Sequence, residues 1–229
     1  MDDRERYKQL VGAYAADMVP SNSVIGLGTG STATYFVTAV AERLRDGRLT
    51  NVIGVPTSER TAAQARREGV PLTDLHTHPQ LAVAFDGADE IDPHLGLIKG
   101  LGGALLREKI VASAATQFFV FGDSTKSVGT LGVVTPVPVE IVDFARSLCM
   151  RRLSALGARP ILRLRDGQPQ ITDGGHVIVD CFFDGIADPQ ALDTAIHAIP
   201  GVVETGLFLG MATAAIIGGP DGVHMVYPQ

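Results

Sequence analysis

The run Leu81-Ala82-Val83-Ala84-Phe85 carries no polar residue on either face, and Asp86 follows it at once. A half-solvated strand alternates apolar and polar residues, so a short run that is apolar throughout must be covered on both sides. Cover on both sides means a parallel sheet with helices packed against each face. Residues 23–27 form a short apolar run into a Gly-rich turn, and 118–121 a further apolar strand ahead of a polar segment. Helix-like stretches alternate with these runs: residues 3–19 stopped by Pro20, 32–45, 58–68 capped by Thr57 or Ser58, and 104–116, with a further strand at 52–55. The pattern predicts an α/β fold with a mostly parallel, Rossmann-like sheet flanked by helices.

The texture changes after Lys126. Pro136 and Pro138 suggest a loop, followed by a helix over 143–156, an extended segment 159–164, a turn at Asp166-Gly167, a strand 176–182, a helix 189–199 and a strand at Val202 and Val203. This set predicts a small α+β, ferredoxin-like domain. Leu207, Phe208, 214–217 and 223–227 are too few to fold alone and are expected to return to the first domain. The expected division is therefore an α/β catalytic domain of residues 1–130 and 206–229, with 131–205 inserted.

Composition narrows the function classes. Forty-five percent of the 229 residues are hydrophobic and the formal net charge is -6, the balance of a globular chain without the basic surface that a nucleic-acid backbone requires. No apolar run is long enough to span a membrane, and the charged start MDDRERYKQL lacks signal-peptide character, so a cytoplasmic protein is expected. Cys149 and Cys181 are too few for a zinc site and read as packing residues. Fifteen arginines against four lysines (Lys8, Lys99, Lys109 and Lys126) suggest that each lysine marks a place needing a compact ammonium group.

Four segments could carry chemistry. Gly26-Leu27-Gly28-Thr29-Gly30-Ser31-Thr32 joins a strand to a helix. Its glycines allow close approach of an anion, and the helix start offers free N–H groups. It is neither a P-loop nor a clean dinucleotide fingerprint, and a tight turn without ligand is the bland alternative. Asp86-Gly87-Ala88-Asp89-Glu90-Ile91-Asp92 lies at the carboxyl end of a buried strand, where α/β sheets bind ligands. Asp86 and Asp89 could serve as acid/base carboxylates or as hard oxygen ligands for a metal, while a solvated loop is expected for Glu90 and Asp92. His76 and His78 read as loop residues. Lys99-Gly100-Leu101-Gly102-Gly103 opens a helix with Glu108 one turn inside, where a carboxylate has its charged form favoured, although Arg107, Glu108 and Lys109 could equally be an exposed helix face. Asp123-Ser124-Thr125-Lys126 follows another apolar strand, and Lys126 could bind a phosphate or simply lie exposed on a capped turn.

In this order GLGTGST, PTSERT, DGADEID, KGLGGALLREK and DSTK resemble the type A ribose-5-phosphate isomerase family. The similarity continues through PVPVEI, a TD-containing turn, IPGVVETGLF and GGPDGV, nearly the whole chain. The resemblance implies aldose–ketose interconversion of ribose 5-phosphate and ribulose 5-phosphate through an enediol. It implies no cofactor and no metal, a small sugar phosphate as ligand with no nucleic acid and no membrane, and a homodimer or homotetramer. Glu108 is then the base, with Asp86, Asp89 and Lys99 also catalytic. Thr29, Gly30, Ser31, Thr32, Asp86, Gly87, Ala88, Asp89, Lys99, Gly100, Leu101, Gly102 and Lys126 fall on substrate-binding segments, with Lys8 a weaker addition. The chain departs from the family at Gly174-Gly175-His176 and at Leu209-Gly210-Met211-Ala212. Two other readings compete: a CoA transferase using Glu108 as nucleophile, and a sugar-phosphate sensor that binds without turnover.

Overall fold

The computed structural model describes residues 3–229; Met1 and Asp2, the first two residues of the expected catalytic domain, lie outside them. In chain order the elements are α1 (Asp3–Asp17), β1 (Ser23–Leu27), α2 (Ser31–Arg45), β2 (Val52–Pro56), α3 (Glu59–Glu68), β3 (Leu81–Gly87), β4 (Glu90–Ile91), β5 (Leu97–Ile98), α4 (Leu105–Ser113) and β6 (Ala115–Asp123). They continue as β7 (Val137–Ile141), α5 (Arg146–Ala155), β8 (Arg159–Leu162), β9 (Leu164–Arg165), β10 (Gln168–Pro169), β11 (Val177–Phe182), α6 (Pro189–His197), β12 (Val202–Thr205), β13 (Leu207–Phe208), β14 (Ala214–Gly219) and β15 (Gly222–Val226). The chain forms two compact units, one of residues 1–88, 107–126 and 211–229, the other of 89–106 and 127–210. No described helix is long and apolar enough to cross a membrane.

The first unit holds a six-stranded sheet in the order β15-β14-β6-β3-β1-β2. All neighbours are parallel except β14 and β15, which form an antiparallel edge hairpin. Ala84 and Phe118 are buried on one face of the sheet, as strands covered on both faces require, and on the other Phe85 and Phe121 are completely buried. Phe36 of α2 packs on both, with ring centroids at 4.8 and 5.9 Å. Gly12 lets α1 meet the α2 backbone, since a Cβ there would stand 2.7 Å from the Phe36 nitrogen. Ser58 caps α3 by accepting from the Thr61 amide at 3.1 Å, one of the two caps expected. The helix expected to reach residue 116 stops at Ser113, because β6 begins at Ala115. There the ladder with β3 takes over: Ala115 pairs with Leu81, and the Leu81 amide donates to the Ala114 carbonyl at 2.9 Å.

The second unit is built on a four-stranded antiparallel sheet, β12-β7-β11-β8. With α5 between β7 and β8 and α6 between β11 and β12, this is the ferredoxin-like arrangement. Its core gathers Val137, Val139, Ile141, Val177, Val179 and Ile196, along with Cys149 and Cys181, both free thiols. The segment read as a proline-marked loop is instead the inner strand β7. Proline is tolerated there because the Pro138 carbonyl accepts from the Gly206 amide at 2.7 Å, which turns its donorless nitrogen to the side where β12 has already ended. Leu207 and Phe208 do not return with the C-terminal strands as expected; they form β13 and pair with β5 inside this unit. The turn bearing the Gly174-Gly175-His176 departure closes onto buried Glu140, which accepts from Thr172 Oγ1 at 2.8 Å and lies 3.0 Å from His176 Nδ1.

Candidate active site

In the first unit β1 sits between β2 and β3, so the chain leaves β1 toward one edge of the sheet and returns to its other side. Such a reversal opens a crevice at the carboxyl ends of the strands, where ligands of open α/β sheets bind. The loop 28–32 leaves the end of β1 and Asp86 to Ala88 lie at the end of β3. The 3-10 turn Ser124–Lys126 leaves β6, the next strand over. The crossover helix α4 must run back from this edge for β6 to lie parallel to β3, which puts Glu108, in its first turn, at the same edge. Glu108 is 3% exposed.

Asp86 is equally buried and is held by backbone. Its Oδ1 accepts from the amides of Thr29 at 2.9 Å and Gly87 at 2.7 Å. Gly28 makes this possible: a Cβ at that position would lie 2.2 Å from Asp86 Oδ1. Thr29 in turn rests on a hydroxyl cluster, its Oγ1 within 2.7 Å of Thr57 Oγ1 and Ser58 Oγ and 3.0 Å of Thr61 Oγ1. The polar start of α3 therefore does more than cap the helix: its hydroxyls support Thr29. Gly30 precedes α2 at φ 127° with no side-chain cap on the helix, so Ser31, exposed, and Thr32 open the helix with backbone donors presented. Asp123 folds back on its own turn, accepting from the Thr125 amide at 2.9 Å, and leaves Lys126 half-buried. Lys8, on α1, is paired with Glu5 at 2.6 Å; the bonds from Lys8 and Tyr35 hold the Glu5 carboxyl below its usual range.

The second unit carries the rest of the predicted residues. Asp89 accepts from the Leu101 amide at 3.0 Å, so the second acidic residue and the glycine loop are joined directly. Lys99 is 2% exposed, with its Nζ 5.3 Å from the Phe208 ring centroid and its amide donating to the Gly206 carbonyl at 2.9 Å. Gly100 at φ 103° and Gly103 at φ 85° require conformations open to glycine. Leu101, between them, stays exposed.

Two neighbours in the acidic segment behave differently from the solvated loop expected. Glu90 is fully buried and accepts from the amides of Gly132 at 2.7 Å and Val134 at 3.0 Å, and from Thr135. It is a structural anchor for that turn. Asp92 caps the β4–β5 hairpin by accepting from the Gly96 amide at 2.7 Å. His78 bonds Thr73 at 2.8 Å within its loop, as expected.

A family model described as ribose 5-phosphate isomerase A (phosphoriboisomerase A) matches residues 53–222. The ribose-5-phosphate isomerase A of Roseiflexus castenholzii is 58% identical over 224 residues, 97% of this chain and 95% of that protein. This chain belongs to the ribose 5-phosphate isomerase A family. Solved structures agree. The ribose 5-phosphate isomerase A of Methanocaldococcus jannaschii matches with a TM-score of 0.94 at 40% identity, over 98% of this chain and 99% of that one. A D-ribose-5-phosphate isomerase in complex with phospho-erythronic acid matches with a TM-score of 0.95 at 38% identity, over 97% and 98% of the two chains. Within this isomerase A chain, the residues that sequence reasoning missed are those behind the site, Thr57 and Thr61 under Thr29. The signal was present in the run PTSERT, whose hydroxyls exceed what a helix cap needs.

Proposed function

We propose that this chain carries out the aldose–ketose interconversion of ribose 5-phosphate and ribulose 5-phosphate by carboxylate-mediated proton transfer through an enediol. What carries the reading is the placement of two buried carboxylates, Asp86 and Glu108, at the carboxyl edge of adjacent parallel strands in a chain of this family. Glu108 takes the C2 proton and delivers it to C1. Asp86, fixed by the amides of Thr29 and Gly87, shuttles protons as the sugar ring opens. Negative charge that develops on oxygen is met by Lys99 and the backbone amides of Gly100 and Gly102, and Asp89 fixes that loop by accepting from the Leu101 amide. The phosphate engages the start of α2 through Gly30, Ser31 and Thr32, with Lys126 supplying positive charge. Binding energy from that remote group orients the reacting carbons. The phosphorylated sugar acid bound by the related enzyme belongs to the ligand class expected here. The resemblance also supports a cytoplasmic homodimer or homotetramer.

The test is NMR of the EDTA-treated protein with ribose 5-phosphate in heavy water. Ribulose 5-phosphate with deuterium at the exchanged carbon is expected, and Glu108→Gln should lower kcat by about 10²–10⁴ with KM nearly unchanged. Binding without product or exchange would favour the sensor reading. A covalent thioester on Glu108 would favour the transferase.

A further inference from the structure

Arg163 stands between β8 and β9 with its side chain 10% exposed. Its main chain is fixed on both sides, the amide donating to the Ile178 carbonyl at 2.8 Å and the carbonyl accepting from the Gln170 amide at 3.0 Å. The guanidinium bonds in two directions. Toward β11, Nε donates to Asp180 Oδ2 at 2.9 Å and Nη2 donates to Oδ1, a bidentate grip that fixes the plane of the fork. Toward the glycine loop, Nη1 donates to the carbonyls of Gly100 at 2.8 Å and Leu101 at 3.2 Å.

A planar trans peptide points its carbonyl and its N–H in opposite directions. Holding the Gly100 carbonyl on Arg163 therefore aims the Leu101 N–H away, and Asp89 Oδ2 accepts it there at 3.0 Å. Holding the Leu101 carbonyl does the same for the Gly102 N–H. The positive fork on the carbonyl side also polarises both peptides and strengthens their amides as donors. We propose that Arg163, oriented by Asp180, is a positioning residue for the isomerisation: by holding the Leu101 carbonyl it aims the Gly102 amide of the Lys99–Gly103 loop at the charge that develops on the substrate, while the Leu101 amide stays on Asp89 and the Gly103 amide closes the turn onto the Gly100 carbonyl at 3.0 Å. This rests on the reading of that loop given under Proposed function. Lysine could not replace it, because a single ammonium cannot grip a carboxylate bidentately and reach two carbonyls at fixed angles.

The test is steady-state kinetics with ribose 5-phosphate for the wild type, Arg163→Gln, Arg163→Lys, Asp180→Asn, the Arg163→Gln/Asp180→Asn pair and Lys99→Ala, with circular dichroism and a thermal melt for each. Arg163→Gln and Arg163→Lys should both lower kcat by about 10–100-fold, the cost of a misplacement on the order of 1 Å, with KM within about threefold. The double variant should be no worse than Arg163→Gln, since Asp180 acts through Arg163. A kcat within about tenfold of wild type in Arg163→Lys, or a loss confined to KM, overturns the proposal. If Arg163→Gln does not fold, Arg163→Lys and Asp180→Asn carry the same test. A wild type without turnover, or a fully active Lys99→Ala, instead removes the reading on which the proposal stands.

Discussion

Gly28→Ala tests whether the geometry around Asp86 is what the activity needs. The new methyl would lie 2.2 Å from Asp86 Oδ1 and 2.5 Å from the Phe85 carbonyl oxygen, both well inside van der Waals contact. The Phe85 oxygen cannot give, because it is ladder backbone that also accepts from the Gly28 amide at 2.9 Å. The carboxylate must move and lose its bonds from Thr29 and Gly87. Overpacking costs roughly 1–3 kcal/mol, and weakening hydrogen bonds to a buried charge adds roughly 1.5–3 kcal/mol. A total of about 3–5 kcal/mol should lower the melting temperature by roughly 10 °C in a chain of this length. Activity should fall with it, as a loss in kcat, because the proton shuttling proposed for Asp86 depends on where its carboxylate sits. Gly129→Ala is the control, since a Cβ there meets nothing within 4 Å. Differential scanning fluorimetry with steady-state kinetics reads both effects. If Gly28→Ala melts within about 2 °C of wild type and keeps kcat within about twofold, the packing argument for Asp86 is wrong.

Other substitutions separate the roles of the remaining groups. Lys126→Ala should raise KM for ribose 5-phosphate by about tenfold and leave kcat nearly intact, the signature of a group that binds the phosphate equally in ground and transition states, measured by initial rates across substrate concentration. Glu90→Ala removes the acceptor for the amides of Gly132 and Val134 and should cost about 3 kcal/mol in urea denaturation, with more rapid amide exchange at 132–135. Cys181 is buried and its thiol is pushed up to about 12 by desolvation and the neighbouring Asp180 charge, so a thiol-specific reagent at pH 8 should label it only after unfolding.

The placement of much of the candidate site was legible in the chain because these segments directly follow buried strands, and a strand's apolar run announces its own end. Leu81 to Phe85 led to Asp86, and residues 118–121 led to Asp123 and Lys126. The carboxyl-edge rule then supplied the location without any contact information. Less legible were features that depend on a partner far along the chain. Glu90 shares its acidic run with Asp89, and nothing in the run distinguishes a buried anchor from a solvated residue. The deciding partners are the amides of Gly132, Val134 and Thr135, more than forty residues on. Pro138 argued against an inner strand, and only the early end of β12 made room for it.

What the sequence determined by itself was the class of fold and the kinds of residue at the ends of its strands, since the period and run length of apolar residues depend on local burial alone. The tertiary structure decided which distant groups meet. Residues 89–106 join the second unit although they follow β3 directly, and Leu207 and Phe208 stay there beside β5. Arg163 reaches back across sixty-three residues to the Gly100 carbonyl, while Gly28 is a glycine because Asp86 occupies the space of its side chain. Such pairings are set by the order in which strands assemble into sheets, and no local pattern encodes that order.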